Sequence, residues 1–390
     1  MSQQQGGEGE GEQGLPLEQD MFNLRFRNDQ LPSGKCVYIQ SGDPGDFDGY
    51  MIGVAGAELE KRTEDLQFVI VMPERRACAD REEPNVNKHD EGFSEEVMHV
   101  AGRLIRYLCP HSFIVRGPVN TRNVIPLKFI FSEPEHYGPI VSNLPPGAVY
   151  WRSVEDLASL VADEQVSSVV LDMNGSVGYL KQLLQLYPKL GAKVHASGMP
   201  VTVMAGILAE AETATMRVPG RDPRSTMNAL YHAESSKMLL QMAKENEVPL
   251  LFITNNVCNK LLRFENATEI ARVMGLQGLM SELARSWYGP HLTGRCVPFD
   301  WVSFCSLLLH KRFEGLIRCE PRQLYVGADD PSVMVLLEPG LPITPTVEQN
   351  LEGAKFWGEV MSVVDIDRDI MLKLVHFTMD SSDQCKQPVS

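Results

Sequence analysis

The stretch Cys36-Val37-Tyr38-Ile39-Gln40-Ser41-Gly42-Asp43-Pro44-Gly45-Asp46-Phe47-Asp48-Gly49-Tyr50-Met51-Ile52-Gly53-Val54 decides the fold. A short β-type run, Cys36 to Ile39, stops at a Gly/Pro/Asp-rich loop and is followed by an apolar segment, the layout of a βα unit. Ligands of open parallel sheets bind at such carboxyl ends of strands. Outward from it, Leu66 to Met72 (LQFVIVM) is a second strand, too continuously apolar for an exposed position. Residues 73–92 are charged and unpatterned and read as an insertion or flexible loop. Val97, Val100, Ala101, Leu104, Ile105 and Leu108 are spaced as one helix face, and Pro118 to Pro146 reads as Pro-rich and irregular. Beyond it, Ser153-Val154-Glu155-Asp156 resembles a capping box. Strands are then expected at Val166–Leu171, Val201–Ala205, Pro249–Thr254 and near 333–337. Helices are expected at Val177–Tyr187, across most of Thr226–Asn246, at 268–287 with a break at Gly275, at 300–312 and at 347–365. This alternation predicts an α/β fold, a mainly parallel sheet flanked by helices.

The chain has 390 residues, a formal charge of −15, 43% apolar and 22% charged residues. That balance is ordinary for a globular protein and excludes a collagen-like, mucin-like or largely disordered chain. An acidic protein is not built to neutralise phosphates, so no nucleic-acid partner is expected. No apolar stretch approaches the roughly 18–20 uncharged residues of a membrane span, so no membrane association is expected. Met1 to Asp20 carries five acidic residues and no base, unlike a signal or transit peptide. The eight cysteines form no C-x-x-C pair, which suggests reduced thiols and a cytoplasmic location. The expected organisation is an acidic disordered tail over 1–34, one domain over 35–375 with the charged insertion near 73–92, and a flexible tail over 376–390.

Asp43, Asp46 and Asp48 surround a Pro-Gly turn at the end of a strand. Hard cations such as Ca²⁺ take oxygen ligands, and a tight turn can aim alternate carboxylates at one point. The spacing is not that of an EF-hand, so further ligands must come from elsewhere in the chain. Asp-rich Pro-Gly turns are also common as plain solvated loops.

Ser41-Gly42-Asp43-Pro44-Gly45-Asp46-Phe47-Asp48-Gly49 resembles the D-x-D-P-G-x-D-D-A signature of the calcium-dependent nucleoside hydrolases. Further likenesses follow in order: Val201-Thr202-Val203-Met204-Ala205-Gly206, Met227 to Ser235, Val248-Pro249-Leu250 through Asn256, Pro298-Phe299-Asp300, and Lys355-Phe356-Trp357-Gly358, the last matching a C-terminal helix of the family. The resemblance covers residues 36–365 and implies a Rossmann-like fold, hydrolysis of the N-glycosidic bond of a nucleoside or related glycoside, and a Ca²⁺ cofactor. It implies Asp43 as metal ligand and general base, Asp48 and Asp300 as further ligands, Met173 as carbonyl donor, and Asn228 as a ribose contact. Self-association into oligomers is likewise implied.

The departures lie around the sugar. Ser41 replaces the first Asp of the signature, Phe47 stands at a ribose-gripping Asp, Thr226 at a ribose-binding Glu, Phe299 at a His, and Gly220 about where an Asn contacts the sugar. Asp46 is a candidate stand-in for the missing Asp. Trp287, Tyr288, His291 and Trp301 are candidates for an aromatic wall over a base, or for core. His195, His232 and His310 read as structural, and Cys258 and Cys305 as buried and inert. Two function classes stay open: a divergent N-glycosyl hydrolase, or a catalytically degenerate descendant acting as a binding or assembly module.

Overall fold

The computed structural model describes residues 34–42, 46–74, 77–78, 91–119, 125–126, 132–175, 177–211, 222–226, 228–229, 232–289, 296–310, 315–382 and 385. All of the expected acidic tail (1–34) but Gly34, and most of the charged insertion, lie outside them. Strand β1 (Lys35–Ser41) is followed by helix α1 (Phe47–Arg62), the βα unit read from the sequence. Side chains alternate across β1. Cys36 and Tyr38 enter the apolar layer under α1, and Val37 and Ile39 enter the opposite layer. Both faces are buried, as a parallel sheet requires.

Ten strands form one sheet: β1, β2 (Leu66–Glu74), β4 (Phe113–Val119), β6 (Val166–Met173), β7 (Val201–Val203), β8 (Ile207–Leu208), β9 (Leu250–Phe252), β10 (Ile317–Gly327), β11 (Met334–Leu337) and β12 (Ala354–Ile366). Their order across the sheet is β4-β2-β1-β6-β7-β9-β12-β10-β11-β8. Among the described residues, the pairings of β10 are the only antiparallel ones between strands of this sheet. Two residues each of β3 (Ala77–Cys78) and β5 (Ile125–Pro126) pair apart from it. Thirteen helices flank the sheet among the described residues, so the α/β expectation holds. None of them is long and apolar enough to cross a membrane.

The close seat of α1 comes from two glycines. A Cβ at Gly53 would stand 2.4 Å from Ile105 Cδ1, and one at Gly56 would stand 2.1 Å from the Phe68 ring. The capping box at Ser153 is present, with Ser153 and Asp156 exchanging hydrogen bonds at the start of the Val154–Ala162 helix.

Three expectations fail. The 347–365 helix is instead a short helix, Pro345–Leu351, followed by strand β12, so Lys355-Phe356-Trp357-Gly358 is extended. Gly353, at φ 68°, breaks the chain away from the helix. The β-branched Val360, Val363, Val364 and Ile366 then favour the strand, which pairs with β10 along its length. The irregular reading of 118–146 misses a helix at Ser132–Asn143, which retains an internal proline, Pro139. The last helix, Arg368–Ser381, runs past residue 375, with Thr378 and Met379 buried. The stretch expected to be mostly helical, Thr226–Asn246, carries the helix Ala233–Glu245.

Candidate functional site

Three strand ends, those of β1, β6 and β7, meet the N-termini of α1 and of helix α11 (Phe299–Leu309). Asp48 lies in the first turn of α1 and Asp300 in the first turn of α11, 4% and 5% exposed. Asp48 Oδ2 accepts the main-chain N–H of Asp300 at 2.8 Å. Each carboxylate thus sits at a helix N-terminus, where unpaired N–H groups and the helix dipole favour negative charge. Their field reaches the neighbours. Burial raises the Cys258 thiol first, and Asp300 and Asp48 raise it further. Burial likewise raises the Tyr288 phenol, with Asp48 the next cause. Asp46 is the N-cap residue of α1, although its side chain makes no cap hydrogen bond. Asp43, Gly220 and His291 lie outside the described residues.

Met173 ends β6. Its carbonyl accepts the N–H of Met204 at 3.0 Å, and its sulfur receives the hydroxyls of Tyr179 at 3.4 Å and Ser41 at 3.8 Å. The next carbonyl, that of Asn174, accepts the Asn228 side-chain amide, which also donates to the Met204 carbonyl at 3.1 Å. Asn228 therefore ties the ends of β6 and β7 together.

Beneath these groups lies Asp172, wholly buried. Its carboxylate receives Tyr38 Oη at 2.7 Å, Ser303 Oγ at 3.0 Å, Asn174 Nδ2 at 3.3 Å and the Thr202 hydroxyl. Burial raises its pKa and the four donors oppose that rise. Ser303 is one turn beyond Asp300 on α11, so the network anchors the helix that presents Asp300. Sequence reasoning did not nominate Asp172. The available signal was an Asp closing the otherwise apolar Val169-Val170-Leu171.

The positions that the resemblance places around a sugar differ in fate. Phe47 is fully buried and meets Tyr288 edge-on, ring centroids 5.7 Å apart. Tyr137 stacks on Trp287 at 6.5 Å and meets Tyr50 at 5.9 Å. Trp301 is core, its indole N–H given to the Met371 carbonyl. Phe299 is half-buried, and Thr226 is buried with its hydroxyl unpartnered. His232 packs against Gly178 with Nε2 unpartnered, and burial lowers its pKa to about 4.

Among the described residues no group of three or more His, Cys, Asp or Glu is placed to hold a metal ion. The two that converge, Asp48 and Asp300, offer oxygen alone, a donor chemistry that fits a hard divalent cation rather than zinc or copper.

The sheet and its flanking helices have the fold seen in solved nucleoside hydrolases. No family model and no curated protein matches the sequence. Among solved structures, the chain is similar to an inosine-uridine preferring nucleoside hydrolase from Bacillus anthracis, at TM-score 0.56 and 14% identity over 88% of this chain and 99% of that one. A purine-preferring ribonucleoside hydrolase from Gardnerella vaginalis gives TM-score 0.56 and 14% identity over 88% and 99%. A plant nucleoside hydrolase gives 0.53 and 12% over 88% and 98%. At these identities the likeness is one of fold.

Proposed function

We propose that the chain is a divergent N-glycosyl hydrolase acting on a nucleoside or related glycoside at the ends of β1, β6 and β7. The observation that carries this reading is the convergence of Asp48 and Asp300, distant in sequence, as two buried carboxylates at adjoining helix starts, the Asp48 carboxylate accepting the main-chain N–H of Asp300. Burying two acids side by side is costly unless something uses their charge. In this reading Asp48 and Asp300, with Asp43, would hold Ca²⁺, and the carbonyl donor would come from the end of β6, at Met173 as the resemblance implies. Bound there, the ion would acidify a water and orient the sugar hydroxyls. Asp43 would act as the base, taking a proton from the attacking water as the water oxygen bonds to the anomeric carbon. The C–N bond breaks through an oxocarbenium-like transition state, and the base leaves with the bonding pair. Asn228 holds the β6 and β7 ends in register and lies beside the sugar. The proposal includes a small-molecule substrate, no nucleic-acid or membrane partner, a cytoplasmic location and self-association.

A panel of purine and pyrimidine nucleosides, including deoxy and modified sugars, incubated with protein and Ca²⁺, tests this. Free base is expected by chromatography, and its loss is expected in Asp300→Asn and Asp43→Asn. No release from any nucleoside by folded protein would overturn it. The second reading, a degenerate binding or assembly module, is favoured by Phe47. Its ring is sealed under Tyr288 where the resemblance calls for a sugar-gripping carboxylate. That reading expects silence across the panel and a normally folded Asp43→Asn.

A further inference from the structure

Buried polar groups in folded proteins are almost always hydrogen-bonded, and each exception asks for a reason. At the end of β1, Gln40 is wholly buried, and both atoms of its amide, Nε2 and Oε1, lack a partner. Asn174, just past the end of β6, is also wholly buried, and its Oδ1 lacks one. The two belong to one place. Gln40 is paired in register with Asp172, and Ser41 with Met173, on adjacent parallel strands. The Gln40 amide reaches forward along β1 to lie 2.8 Å from where a Gly42 Cβ would stand. Asn174 follows Met173 at that same level, and the Gly175 N–H is held by the Ser41 carbonyl at 3.0 Å. The Asn174 amide is oriented by chemistry. Its Nδ2 faces the Asp172 carboxylate, an acceptor, so its Oδ1 turns away from that carboxylate.

We propose that Gln40 and Asn174 are ligand-binding residues that grip hydroxyl groups of a sugar-like ligand through neutral amides. This rests on the reading that the site takes a glycoside. A cation would satisfy only the Gln40 oxygen and would be repelled by the amide N–H. A hydroxyl satisfies both, because it accepts from Nε2 and donates to Oε1, and a neighbouring hydroxyl donates to Asn174 Oδ1. Neutral amides thereby do at this site what Ser41, Phe47 and Thr226 no longer do as carboxylates. The ligand class that follows is a polyhydroxylated ring carrying no positive charge.

The test compares wild type with Gln40→Met, which is near-isosteric and deletes both amide atoms, and with Asn174→Ser, which keeps a donor toward Asp172. Thermal melting is measured without ligand, and binding of inosine, D-ribose and hypoxanthine by calorimetry or ligand-observed NMR. Deleting an unsatisfied buried group leaves stability equal or improved, so the melting midpoint of Gln40→Met is expected to hold or rise. Inosine and ribose binding is expected to weaken at least tenfold in both variants, with hypoxanthine unaffected. A lower midpoint in Gln40→Met, unchanged sugar affinity, or a wild type that binds neither inosine nor ribose would overturn the inference. Base release judges hydrolysis separately. Binding that needs Gln40 but yields no free base sinks the hydrolase alone, and turnover with unchanged sugar affinity in Gln40→Met sinks this inference alone.

Discussion

Asp172 holds more of the site together than any residue nominated from the sequence. Four donors, from β1, the turn after β6, β7 and α11, converge on it. Removing the carboxylate orphans all of them, at about 1–3 kcal/mol for a buried group left unsatisfied. Asp172→Ala is expected to lose about 3 kcal/mol or more in chemical denaturation, and Asp172→Asn less. His232 gives a pH signature. Its folded pKa, about 4, lies below the ordinary 6.5. The neutral ring's contribution is thus complete above pH 6.5 and lost as pH falls toward 4, amounting to about 2–3 kcal/mol. The melting midpoint of wild type is expected to fall further between pH 7 and 4.5 than that of His232→Gln. At this scale the sequence was half legible. Asp48 and Asp300 were singled out by likeness to known motifs. Asp172 and Gln40, polar residues closing apolar strands, were visible but carried no motif. Nor does sequence tell which carbonyl of the β6 end is spent on pairing, and Met173's goes to Met204.

Helix α1 shows how an element's packing serves the site. Its first turn carries Asp48, and its seat depends on Gly53 and Gly56 meeting Ile105 and Phe68. Gly56→Ala is expected to lift the helix or displace the Phe68 ring, at about 1–3 kcal/mol of overpacking strain. A lowered denaturation midpoint would show it, and an unchanged midpoint would mean that Phe68 yields freely. Elements with one dominant pattern were legible: β1, β2, the helix ending at Leu108 and the capped helix after Ser153. The stretch from Ala354 to Ile366 was not. Its apolar spacing permits a helix, and beside the local break at Gly353 and the β-branched residues it is pairing with β9 and β10, remote in sequence, that holds it as a strand. Pro139 similarly hid a helix that tertiary packing tolerates, since Tyr137, Ile140 and Val141 are buried in the core.

The whole sheet depends on that strand. β12 lies between β9 and β10, so it joins the parallel half to β10, β11 and β8. A chain ended before Ala354 is expected to lose its cooperative thermal transition and to expose the edge of β9, a ready template for aggregation. A sharp transition in that truncated chain would show that the parallel half folds alone. The fold class was legible because alternating strand and helix patterns constrain it strongly. The strand order was not, since nothing local says that β8, next to β7 in sequence, lies at the far edge.

That displacement bears on biogenesis. A ribosome delivers β8 long before its partner β11, and β9 well before β12. The nascent chain must therefore carry unpaired, apolar strand edges through much of its translation. Exposed edges of that kind are templates for aggregation until synthesis reaches the segment that closes the sheet.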